Sequence, residues 1–302
     1  MNKVLILGQA RSGSTYFKNN LNRHDECFLL NEPLAPGIIS PTTGTWTKNI
    51  SARPHCGLDG PKGRSFISDK EWISCIKRLD ESSNRYFNEL WNTILRNTKG
   101  KCKNIGMKLF WNHNNTMHSK VYNQKNDIRL EKDWWLDKNF SENVIPKFNK
   151  FIILNRPIEE TVFSRTKSMT TNLWGSRVRE RTKNTYPTFQ EFMDGLYNWS
   201  SGKIRNGKGN KDFVIKSQIK YHIGAESFSR YMESKYDSLS VDYNNINWDE
   251  VSDYLGMKIE DKFGYDKFEY NIERWLIENP EFKYICDRVK EELFQLQKQY
   301  TF

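Results

Sequence analysis

The sequence contains no apolar run near the roughly 18 residues that a membrane-spanning helix needs. Its apolar start, VLILG at Val4–Gly8, is too short for a signal-peptide core and follows a single lysine. It leads into a glycine loop instead of a cleavage site, so it is expected to remain as a buried strand. Cysteine is scarce and unpaired in pattern: Cys27, Cys56, Cys75, Cys102 and Cys286 are odd in number, widely spaced and without a C-x-x-C pair. Neither a disulfide framework nor a zinc site is built that way, and reduced thiols in a cytoplasmic protein are the expectation. No recognised nucleic-acid motif accompanies the net charge of +10. The lysines and arginines are interleaved with asparagine and acidic residues, so a solvated basic surface or an anionic small ligand is expected, and no nucleic acid.

The 302 residues suffice for one large α/β domain, and with 14% aromatic residues wholesale disorder is excluded. Short apolar stretches alternate with helical patterns. Strands are expected at residues 4–8, in CFLLNEPL (Cys27–Leu34), NIGMKLFWNH (Asn104–His113), KFIILNR (Lys150–Arg156) and SLSVDYNNI (Ser238–Ile246). Helices are expected over Thr15–Arg23 with Ser14 as cap, over Glu71–Thr98, from Pro157 through about Lys167, and over Glu291–Gln299. Residues 35–70 and 114–149 read as irregular. This order predicts a mostly parallel central sheet covered by helices on both faces, in one domain over 1–302.

The first strand runs into GQARSGSTYF, Gly8–Phe17. A glycine loop between strand and helix turns backbone N–H groups toward an anion at the positive end of the helix dipole. Ser12, Gly13, Ser14 and Thr15 add hydroxyls, and Arg11 adds a cation. The Gly-Lys-Ser/Thr ending of a nucleotide triphosphatase is missing; the plainer alternative is an ordinary strand–helix turn. In FIILNRPIEETVFSRTKS, Arg156 ends a strand and Ser164 stands eight residues on, about two helical turns later. Such a pair can clamp a second phosphate; taken singly, each residue reads as a surface side chain.

Together the two stretches resemble the sulfotransferases that use 3'-phosphoadenosine 5'-phosphosulfate (PAPS). RSGST (Arg11–Thr15) is similar to the loop that holds the 5'-phosphosulfate, and RPIEETVFS (Arg156–Ser164) to the element whose arginine and serine hold the 3'-phosphate. The proline falls one place earlier than in the common R-D-P form. RSGSTYFKNNLNRHDECFLLNEPL looks like the loop, helix and Glu-Pro strand of carbohydrate sulfotransferases, and IGMKLFWNH is similar to a strand of bacterial glycolipid sulfotransferases. KYHIGAESFSRYMESKYDSLSVDYNNI looks like a late helix and strand of the family, with Asp242–Asn245 in place of its usual acidic element.

The resemblance implies a P-loop-like three-layer α/β fold, with Arg11, Ser12, Gly13, Ser14, Thr15, Tyr16, Arg156 and Ser164 holding PAPS. It implies no metal, because the missing serine or threonine is the one that holds magnesium in nucleotidases. The acceptor would be a hydroxyl on a glycan, glycolipid or other molecule, recognised by the irregular segments. Glu32 is the implied base, with Arg11 stabilising the leaving oxygen and Lys108 assisting. His113 is the rival base; His24, His55, His118 and His222 read as surface or packing residues in polar or loop contexts. Trp111, Trp134, Trp135 and Trp174 suit sugar stacking, but core or surface packing is the expectation for any single one. RNGKGNK (Arg205–Lys211) reads as a basic turn. The amphipathic tail KEELFQLQKQYTF reads as a packed helix, with peripheral membrane contact as the alternative. Oligomeric state is left open. Two other functions stay open: a P-loop kinase-like phosphotransferase, and a non-catalytic module that binds an anion or glycan.

Overall fold

Val4 to Leu7 are at most 1% exposed, and a run so apolar can be covered on both sides only within a sheet. They form strand β1 (Asn2–Gly8) in a computed structural model that describes residues 1–9, 12–35, 66–111, 136–171, 184–199, 211–260 and 270–299. The other strands are β2 (Cys27–Asn31), β3 (Asn104–Phe110), β4 (Lys150–Asn155) and β5 (Ser238–Asp242). They make a parallel sheet of order β2-β3-β1-β4-β5, flanked by helices in a three-layer α/β arrangement, as the sequence pattern predicts. At its carboxyl end Gly8 stands in register with Phe110 on one side and Leu154 on the other, and Asn31 with Lys108. Strand β5, at one edge, alternates buried and exposed residues, whereas the other four strands are buried along most of their length.

Two compact units divide the chain. The first comprises Met1–Gly8, Gly13–Leu154 and Phe228–Gly264 and holds the sheet. Here α1 (Ser14–Leu21) and α8 (Trp248–Leu255) supply Phe17, Leu21, Val251 and Leu255 to a core shared with Val4, Ile6, Leu29, Ile152 and Val241. Each such side chain, fully buried, contributes about 1.5–3 kcal/mol. Helices α2 (Asp69–Lys77), α3 (Ser83–Thr98) and α4 (Lys138–Asn143) belong to the same unit. The second unit comprises Gln9–Ser12, Asn155–Ser227 and Tyr265–Phe302. It contains α5 (Ile158–Thr171), α6 (Phe189–Trp199), most of α7 (Lys211–Lys235), α9 (Ile272–Glu278) and α10 (Pro280–Gln299). Phe163, Trp275 and Phe282 form its aromatic centre, with Trp275 stacked on Phe282 at 4.6 Å.

Several boundaries differ from the sequence pattern for local reasons. The stretch Glu71–Thr98 is two helices, because Ser82 caps α3 by accepting from the Arg85 N–H (3.1 Å). Helix α2 starts at Asp69, where Ser68 and Glu71 form a capping box. Strand β2 stops at Asn31, since Glu32 leaves the extended region. Within 114–149, α4 is capped by Asp137, which accepts from the Phe140 N–H at 2.8 Å. The last helix begins at Pro280, eleven residues before the expected Glu291.

Candidate functional site

The glycine loop is shaped by contacts that the sequence pattern does not display. The Ser12 N–H donates to the Gln9 carbonyl (3.0 Å). Gly13 takes φ +82°, and a Cβ there would lie 1.7 Å from the Tyr243 ring, so only glycine fits. Tyr16, expected at the donor, packs edge-on against the same ring, with centroids 6.4 Å apart. Gly13, not Ser14, is the N-cap of α1; no side chain caps this helix, and its first turn holds no acidic residue. Its leading N–H groups are therefore not taken up by a capping side chain, which is the arrangement an anion uses. Ser12 Oγ is buried without a hydrogen-bond partner among the described residues, and Ser14 is buried beside it in sequence.

A second group stands at the ends of β2 and β3. Glu32 has φ +48°, the only positive φ of a described residue other than glycine, a conformation that costs about 1–3 kcal/mol and persists where surroundings impose it. Its N–H donates to the Lys108 carbonyl (2.8 Å), and its carboxylate is ion-paired with Lys108 Nζ. The Lys108 side chain is 0% exposed and that of Glu32 14%. Nζ also lies 3.8 Å from the centre of the Phe110 ring, a favourable cation–π distance. This strand lysine is thus buried and ion-paired, not solvated.

Lys18 of α1, which sequence reading passed over, is buried in the same unit. Burial first, and the Lys108 charge second, lower its pKa to about 8, against the opposing pull of Cys27 and Glu32. The one signal for it was its place between Phe17 and Leu21 on an apolar stripe. Because the unfolded chain keeps its lysine protonated up to about 10.5, the folded state gains stability as pH rises from about 8 toward 10.5. Lys18→Met is expected to stabilise the protein by up to about 3 kcal/mol at neutral pH and to flatten that alkaline rise. Urea unfolding at pH 7 and pH 10 checks this; a destabilised variant would give Lys18 a necessary partner instead.

In the second unit Arg156 follows the end of β4, and Pro157 caps α5 by accepting from the Thr161 N–H (3.0 Å). Arg156 Nε bonds the Glu160 carboxylate at 3.0 Å, with both side chains about one-fifth exposed. Glu160 orients the guanidinium, a partner that only the i, i+4 spacing announced. Ser164 is half-buried one turn further on. Of the surface and packing readings of His222, packing holds: it is buried inside α7 and not on a loop. Trp111 is buried and therefore a packing residue. Arg11, His113, His55, His118, Trp134, Trp135, Trp174 and the turn from Arg205 to Asn210 lie outside the described residues.

No protein-family model, curated protein or solved structure matches this chain. Among the described residues no group of three or more His, Cys, Asp or Glu is placed to hold a metal, and no helix is long and apolar enough to cross a membrane.

Proposed function

We propose that the protein is a sulfotransferase that moves the sulfuryl group of PAPS to an acceptor hydroxyl on a glycan or glycolipid. One observation carries the reading. RSGST and RPIEETVFS both leave the carboxyl edge of the sheet from β1 and β4, hydrogen-bonded neighbours that end in register at Gly8 and Leu154. From these two strands the chain runs on in opposite directions, to β2 and to β5. Ligands of open parallel sheets bind outside the carboxyl ends at such a reversal. The uncapped start of α1 and the buried, unsatisfied Ser12 hydroxyl fit a phosphosulfate, and the oriented Arg156 with Ser164 fits a phosphate.

In this reading the acceptor oxygen forms a bond to sulfur as the bond from sulfur to the 5'-phosphate oxygen breaks, releasing adenosine 3',5'-bisphosphate. Glu32 takes the hydroxyl proton, and Lys108 holds the carboxylate in place. Arg11 and the loop N–H groups meet the charge that develops on the leaving oxygen.

Calorimetric titration with adenosine 3',5'-bisphosphate, adenosine 5'-phosphate and ATP, once with a chelator and once with magnesium, tests the proposal. Preferential binding of the bisphosphate is the expected result. Magnesium-dependent preference for ATP would replace the sulfotransferase by a phosphotransferase. Arg156→Ala is expected to weaken bisphosphate binding by about 10–100-fold, as loss of a charge-assisted hydrogen-bond pair does, while adenosine 5'-phosphate binding stays nearly unchanged. Equal losses for both ligands would remove Arg156 from the 3'-phosphate.

A further inference from the structure

Gln9 is the first residue beyond β1, and its side chain is buried. Both ends of its amide are engaged: Nε2 donates to Glu226 Oε1 at 2.6 Å, and Oε1 stands 3.0 Å from His222 Nδ1. The carboxylate fixes which way the amide points, because only the NH₂ end has a proton to donate. Oε1 is then the acceptor, and the proton it accepts is carried by His222 Nδ1. His222 and Glu226 are four residues apart on α7 and so share one helix face. The imidazole is 1% exposed, and its Nε2 is buried without a hydrogen-bond partner among the described residues. It is faced by Tyr221, edge-on at 5.2 Å, and by Arg165 of α5, whose guanidinium lies 3.4 Å over the Tyr221 ring. Gln9 is its hydrogen-bonded neighbour, and Glu226 stands one turn further along the same helix.

Neutrality of the ring is enforced. Burial first, and the Arg165 charge second, hold the His222 pKa well below 6.5. The neutral imidazole therefore keeps a single donor, Nδ1–H, aimed at the Gln9 amide oxygen. The backbone carbonyl of Gln9, distinct from its amide oxygen, accepts from the Ser12 N–H, so the anchored residue also holds the backbone of the glycine loop.

We infer that Gln9, His222 and Glu226 form a positioning relay that fixes the backbone of the glycine loop before an anion arrives. A loop that binds through N–H groups gains affinity when those groups are oriented in advance, since no ordering is then charged against binding. The identity of the anion rests on the sulfotransferase reading; the relay does not. Sequence alone conceals it, because its members lie 213 and 217 residues apart.

The test combines amide hydrogen exchange with bisphosphate titration on the full chain. Gln9→Ala and His222→Leu are expected to speed exchange at Ser12, Gly13 and Ser14, and to weaken bisphosphate binding, each by about tenfold or more. His222→Asn, whose amide nitrogen stands near the place of Nδ1, keeps the donor and should restore both values to within about threefold. Gln9→Asn, one methylene shorter and unable to span both partners, serves if Gln9→Ala does not fold. A pH series adds a signature. Below about 6.5 the unfolded chain takes up a proton that folded His222 refuses, so wild-type stability falls with pH through that range. His222→Asn removes this share of the decline. Loop exchange equal to wild type in Gln9→Ala or Gln9→Asn overturns the relay. If the wild type fails to bind bisphosphate while loop exchange responds as expected, the sulfotransferase reading falls and the relay stands.

Discussion

Glu32→Gln is expected to lower turnover by about 10²–10⁴-fold, the range for loss of a general base, with bisphosphate affinity nearly unchanged. The substitution is chosen for what it keeps. Gln has the same length, retains the Cβ that makes φ +48° strained, and still offers an oxygen to Lys108 Nζ. It loses the ability to accept a proton from the acceptor hydroxyl. An interaction made only in the transition state lowers kcat and kcat/KM together, and steady-state assays of bisphosphate release read both. Turnover within about threefold of wild type would end the role of Glu32; His113 would then be the next residue to replace. A non-catalytic binding module would bind the bisphosphate and release none from PAPS.

Lys108→Met is expected to destabilise the protein by about 3 kcal/mol, the lower part of the range for breaking a buried ion pair. The lower part applies because Glu32 keeps 14% exposure and can turn to water, whereas Lys108 has none. Methionine nearly matches the volume of the lysine stem, so the loss reflects charge and not a cavity. The double variant Lys108→Met, Glu32→Gln should recover part of the loss, with a coupling of about 1–2 kcal/mol. Urea unfolding of the four proteins closes the cycle, with the midpoint as readout and the slope as a check that the unfolded state is unchanged. Additivity within about 0.5 kcal/mol would show that the two groups are neighbours without being partners.

The strands were legible because β1 to β4 are short apolar runs, a pattern set by burial on both faces. The break inside Glu71–Thr98 was less legible, although Ser82 marks it, because the apolar stripe of α3 dominates the reading of the whole stretch. At the site, the spacing of Arg156 and Ser164 and the place of Glu32 before a proline were visible in one dimension. Lys18, Glu160 and the Gln9–His222–Glu226 relay were not, for different reasons. Lys18 and Glu160 look like ordinary helix-surface charges until burial or a partner is known. The relay depends on residues more than two hundred positions apart, which no local pattern encodes. Ser14 shows the opposite error: a residue with every propensity of a cap stands one place inside the helix, because Gly13 alone can adopt the required φ under the Tyr243 ring.

That ring has a consequence for the newborn chain. Gly13 leaves the ribosome about 230 residues ahead of Tyr243, because the side chain that closes over it is made only after β5 has been translated. Until then the loop has no roof, and contacts so distant in sequence form late. A fragment ending at Lys235 would contain every residue assigned here to the donor and still lack the ring over Gly13. Anion binding is therefore expected to appear only after Tyr243 has been made, not when the loop itself is complete.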